Sequence, residues 1–169
     1  MVHVNNVGVV LLIIASASQS SCVSLLFGPP NVKSGQYALI TLPKPWTKID
    51  PGTADTAYQN QSDRATISLN SVCHQYQDQS LDELAAGLQL GLTDFHVHNV
   101  EKHAVDGLPA LRTTLSGRVD DAEVTVSYTV LRSADCVYDF ILVARPETFA
   151  QHQQTYIDLV QAFHEGKAH

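Results

Sequence analysis

The sequence predicts an α+β domain, an antiparallel β-sheet flanked by helices. Three observations predict it. Four strand-length segments follow one another between residues 94 and 144, separated only by short turns, which favours antiparallel neighbours. Two other segments, starting at Ser80 and Pro146, carry apolar residues at helical spacing and must bury those stripes against the sheet. The composition, 44% hydrophobic and 16% charged, is too apolar for a disordered chain. At 169 residues one domain is expected. Seventeen acidic residues against ten basic give a net charge of −7, which argues against a general nucleic-acid binder. No run of 18 apolar residues occurs, so a spanning helix is not expected.

Residues 1–21 read as a leader. Val7 to Ala17, VGVVLLIIASA, is a short apolar run, and no Asp, Glu, Lys or Arg precedes Lys33. A run of this length followed by small residues suits a signal peptide. Its n-region, MVHVNN, lacks the usual Lys or Arg. Ala15-Ser16-Ala17 fits ordinary cleavage. Ser20-Ser21-Cys22 resembles the end of a bacterial lipobox, with Gln19 standing where an aliphatic residue is usual. Cysteine arithmetic favours lipidation of Cys22. The chain has three cysteines, and an odd one in an exported protein needs a role. Val23 in place of Asp implies, by that resemblance, an outer-membrane destination facing the periplasm. Residues 22–34 then form the lipidated Cys and a tether broken by Gly28-Pro29-Pro30, and the single folded domain spans 35–166.

Within that domain, Tyr37 to Leu42 is a strand candidate stopped by Pro43 and Pro45, and Asp50 to Asp63 reads as loop. Ala65 to Cys73 alternates, with Cys73 in phase with the apolar side. Ser80-Leu81-Asp82-Glu83 forms a capping box for a helix stopping near Gly91. Asp94 to Val105 is a strand. Residues 110–118 and 122–131 alternate as a hairpin about Asp120-Asp121. Cys136 to Ala144 is almost continuously apolar, as in a strand covered on both faces. Pro146 opens the last helix, whose apolar stripe runs from Phe149 to Phe163 and stops by Gly166. The expected order is β–β–α–β–β–β–β–α.

This layout resembles the PsbP-like superfamily. The resemblance rests on YALITLPKPW (residues 37–46), on VYDFILVARPETF with LVQAF (137–149 and 159–163), and on Gly107 before the paired strands. It covers residues 36–165. It implies an α/β/α sandwich around an antiparallel sheet, and a protein that binds or assembles other components. It carries over no catalytic residues.

Four constellations bear on chemistry. Cys73 and Cys136 are either a disulfide, as an oxidising compartment favours, or two buried thiols. Asp94, His96 and His98 stand at i, i+2 and i+4 of a strand, where two imidazoles and a carboxylate can chelate zinc or copper; the plainer reading is a solvated strand face. His152 and His164 read as helix-surface residues, and His74 as exposed beyond Cys73. Trp46, between polar neighbours, is either a partner-binding aromatic or a plug for the end of the core. No G-x-S-x-G, S-x-x-K or H-E-x-x-H motif occurs. The reading is therefore a lipid-anchored, noncatalytic domain without a cofactor. Its partners are a membrane, reached through the anchor, and an unidentified envelope protein, not nucleic acid. The alternatives are a metal-binding accessory protein using Asp94, His96 and His98, or a small periplasmic hydrolase whose residues the sequence does not name.

Overall fold

The computed structural model describes residues 34–76, 78–89 and 91–166. The leader and Cys22 lie outside the described residues. The elements are β1 (Tyr37–Ala38), β2 (Trp46–Ile49), β3 (Thr56–Asn60), β4 (Thr66–Cys73), α1 (Leu81–Gly87), β5 (Thr93–Val105), β6 (Leu108–Val119), β7 (Ala122–Arg132), β8 (Cys136–Ala144), α2 (Pro146–Gln161) and β9 (His164–Glu165). Seven strands form one sheet in the order β2-β3-β4-β8-β7-β6-β5, and every neighbouring pair is antiparallel. β1 and β9 make a separate two-stranded ribbon.

The two faces of the sheet carry two cores. Along β8, Tyr138, Phe140, Leu142 and Ala144 join Ile67, Leu69 and the α2 residues Phe149, Tyr156, Leu159 and Val160 in one cluster. The intervening Val137, Ile141 and Val143 join Leu111, Leu115, Val126, Tyr128, Val130 and the α1 residue Ala85 in the other. Alternation of side chains across a strand sends successive residues to opposite cores, which is why this segment is apolar but for Asp139. Each fully buried Leu or Phe contributes about 1.5–3 kcal/mol over leaving it in water. α1 and α2 thus cover opposite faces, an α/β/α sandwich.

Local signals explain the helices. At α1 the Ser80 hydroxyl accepts from the Glu83 amide at 3.2 Å, and the Glu83 carboxylate accepts from the Ser80 amide at 2.7 Å. The helix is shorter than its spacing predicts: Leu88 is the C-cap, and Gly91 (φ 106°) belongs to the turn beyond. α2 begins with Pro146 at its first turn and ends before Gly166, because Phe163 turns inward and His164–Glu165 form β9.

Besides β9, three strands depart from the sequence expectation. Only Tyr37 and Ala38 of YALITL pair, and they pair with β9 at the far end of the chain. β2 starts where the prolines were expected to stop a strand, and β3 lies inside the expected loop 50–63. Two polar residues of TAYQN, Thr56 and Asn60, are buried with partners: Tyr37 Oη lies 3.1 Å from Thr56 Oγ1, and the Ser62 amide donates to Asn60 Oδ1 at 2.9 Å.

Candidate functional site

A hollow of about 350 Å³ opens where the chain enters the fold. The extended segment after β1 supplies Tyr37, Leu39, Thr41 and Leu42; β2 supplies Trp46 and Lys48; β3 supplies Thr56 and Tyr58. Trp46 is 5% exposed and sits edge-on to the His152 ring, centroids 5.2 Å apart. It does not project as an aromatic knob; it closes the end of the α2-side core and gives the hollow its floor. Burial raises the Tyr37 phenol above its usual range, against the hydrogen bond to Thr56. Lys48 is exposed at the rim. Aromatic and aliphatic walls with an ammonium at the rim suit an apolar side chain carried beside a carboxylate.

The entrance to this region is pinned. The Gly35 amide donates to Ser71 Oγ at 2.7 Å, Ser34 Oγ donates to Asp55 at 2.7 Å, and Ser71 also donates to Asp55. Gly35 lies against the Tyr138 ring so closely that a Cβ would stand 2.6 Å from it. Tyr138 in turn donates to Glu165 Oε1 at 2.9 Å. Burial first, and then the Glu165 carboxylate, push its phenol well above the usual range.

Behind Trp46 lies a pair that sequence reasoning missed. His152 is buried, not on the helix surface, and its Nε2 lies 2.6 Å from Asp63 Oδ2. Burial alone would raise the Asp63 carboxyl. Hydrogen bonds from His152 and from the Ala65 amide outweigh that and hold it below its ordinary value. A histidine–carboxylate pair is two-thirds of a hydrolytic triad. Here it ties the β3–β4 turn to α2 beneath the Trp46 indole. Next to it, a second hollow of about 480 Å³ is lined by Ser62, Asp63, Arg64, Thr66, Val124, Val143 and Arg145, among others.

The histidine strand is irregular. β5 pairs Thr93 with Arg118, His96 with Ser116, Val97 with Leu115 and Asn99 with Thr114, so bulges fall on both sides of His96–Val97. The bulges break the i, i+2, i+4 alignment on which a three-ligand set depends. His96 and His98 stack edge to face with centroids 5.0 Å apart, and His98 Nε2 reaches Ser116 Oγ at 2.9 Å. Asp94 sits in the left-handed region at φ 50°. Among the described residues no group of three His, Cys, Asp or Glu side chains is placed to hold a metal ion, so Asp94 does not complete a site with His96 and His98.

Among the described residues β5 is also an edge strand of the sheet. On its α1 face, Phe95, Val97 and Val100 stand 45%, 37% and 53% exposed. On its α2 face Arg112 holds Glu101, and that hydrogen bond with one from Asn99 keeps the Glu101 carboxyl low.

Cys73 and Cys136 face each other at the end of the β4–β8 ladder and are joined. Three residue pairs further along, Asp139 stands opposite Asn70, and burial pushes its carboxyl up to about 7. His74 is exposed.

No protein-family model matches the chain, and no curated protein is similar to it in sequence. Solved structures are similar in fold. LpqN of Mycobacterium tuberculosis, described as involved in cell envelope biogenesis, superposes with TM-score 0.61 at 14% identity, covering 80% of this chain and 85% of that one. Cyanobacterial PsbP from Synechocystis sp. PCC 6803 superposes with TM-score 0.52 at 17% identity, covering 88% and 99%. PA94 from Pseudomonas aeruginosa, a protein of unknown function, superposes with TM-score 0.53 at 15% identity, covering 83% and 90%. The fold is PsbP-like.

Proposed function

We propose that this PsbP-like domain is a noncatalytic binding module of the bacterial cell envelope. It is fastened through a lipidated Cys22 to the outer membrane, faces the periplasm, and takes a partner's side chain in the hollow over Trp46. The observation that carries the reading is the hollow itself. Its walls come from the first residues after the tether, so a partner held there sits close to the anchor. The apolar leader and the Ser20-Ser21-Cys22 sequence support the anchor. The Cys73–Cys136 bond suits an oxidising compartment. The envelope description of LpqN is in keeping with the location, though it describes that protein.

Two measurements test it. Mass spectrometry of the mature N-terminus should find a diacylglyceryl group on Cys22; an unmodified N-terminus at Ser18 would remove the anchor. A photo-crosslinking residue at Thr41, which is exposed on the wall, should capture an envelope protein in cells, and Lys48→Glu should abolish the adduct. Capture that ignores Lys48→Glu, or none at all, would sink the binding role of the hollow.

A further inference from the structure

We propose that β5 joins β5 of a second copy of this chain across a twofold axis. The two seven-stranded sheets then run on as one antiparallel sheet. Three observations carry this.

First, among the described residues β5 closes the sheet with an edge of thirteen residues that no other strand covers, and residues 93–100 are all exposed. An edge of this length presents a row of unpaired backbone donors and acceptors, a template for another strand. The opposite edge, β2, has only four residues.

Second, the bulges give β5 a palindromic order of faces. Val97, Val100 and Lys102 pair with Leu115, Thr113 and Leu111 and so share the α1 face. Phe95 joins them there, packed over Gly117, where a Cβ would lie 3.1 Å from Phe95 Cβ. His96, Asn99 and Glu101 pair with Ser116, Thr114 and Arg112 on the α2 face. His98, the extra residue, reaches Ser116 on that same face. From 95 to 102 the faces therefore run α1, α2, α1, α2, α2, α1, α2, α1, which reads the same in both directions. A regular strand has no such doublet. Here, an antiparallel register centred between His98 and Asn99 matches both faces over all eight residues.

Third, the side chains that this register opposes are complementary. Val97 meets Val100 of the second copy, and each of these pairs occurs twice. Cross-strand pairs of β-branched residues are the unit of sheet stabilisation. His96 meets Glu101, an imidazole against a carboxylate. Phe95 meets the stem of Lys102, whose ammonium is held by Asp82 at 2.9 Å. No acidic group is set against an acidic group, nor Lys against Lys. The exposed Phe95, Val97 and Val100 of both copies then merge into one patch on the α1 face.

The full chain in detergent should sediment as a dimer, and Val100→Lys should weaken it by about tenfold or more, since it sets a charge against Val97 on both sides of the axis. Val100 is exposed, so circular dichroism should stay unchanged, and so should the melting temperature at dilutions where both chains are monomeric. The register has its own test. Under oxidation, a mixture of Val97→Cys and Val100→Cys chains should cross-link. Each variant alone should not, because residue 97 of one copy lies about 10 Å from residue 97 of the other. A wild-type chain that stays monomeric at about 100 μM, where even weak pairing would register, overturns the proposal. So does a dimer indifferent to Val100→Lys, or one that cross-links equally well with either cysteine alone. A monomer whose β5 amides gain exchange protection only on adding anionic vesicles assigns the edge to a membrane and overturns it too.

Discussion

Asp139 shows how one residue's surroundings set a pH response. Its ladder neighbours are Asn70 and Val130, and burial lifts its carboxyl to about 7. In the unfolded chain the same group titrates near ordinary aspartate values, about 3.9. Between those two values the native state holds a proton that the unfolded state has lost, so stability falls as pH rises through that window and levels off above it. Asp139→Asn removes the titration. Asp139 is only half-buried, and that partial exposure screens the charge, so at pH 8 the variant should be more stable by about 1–2 kcal/mol, with little difference at pH 4. Thermal melts across that range check this; a gain that is equal at both pH values rules it out. Asp139 was not legible in the sequence. VYDFILV reads as an apolar run with one polar interruption, and only the register shows which face the carboxylate enters. His152 was misread for a related reason. It belongs to the α2 stripe by spacing, three residues after Phe149 and four before Tyr156, but a histidine in a stripe is buried only when a partner exists. That partner, Asp63, lies 89 positions away.

At the scale of elements, local patterns carried furthest. The capping box, the β6–β7 hairpin and the bounds of β8 were readable because each depends on neighbours within a few residues. β2 and β3 were not, because these polar segments are strands only by pairing with each other and with β4, a tertiary effect that propensity does not see. The bulges of β5 were hidden for the same reason, and with them the fate of Asp94, His96 and His98. α1 illustrates how much a local device matters in a short element. It has seven residues, so few internal hydrogen bonds support it. Ser80→Ala should cost about 1 kcal/mol. The loss should show first as faster amide exchange in residues 81–87 with the sheet unchanged. Equal acceleration throughout the sheet would mean that α1 opens only with the whole domain.

For the whole molecule, the antiparallel sheet with two flanking helices followed from the alternation and the stripes. The order of the strands did not, since β8 returns to lie between β4 and β7. The Cys73–Cys136 bond marks that return: it closes a segment with a sequence separation of 63 across the β4–β8 ladder. In the chain-entropy account, removing it by Cys73→Ser with Cys136→Ser should lower stability by about 4 kcal/mol, less where the unfolded chain stays compact. Denaturant titration of the double variant against the parent measures it, and an unchanged midpoint would show that the ladder holds without the bond.

The ribbon of β1 and β9 has a mechanical corollary. The chain comes in and goes out at one corner, where the Gly166 amide meets the Gln36 carbonyl at 2.7 Å and Tyr138 braces both sides. Tension drawn along the incoming segment loads that corner and spares the broad sheet. Under a stretching force, the two short strands should part as an early yield point while the seven-stranded body keeps its shape.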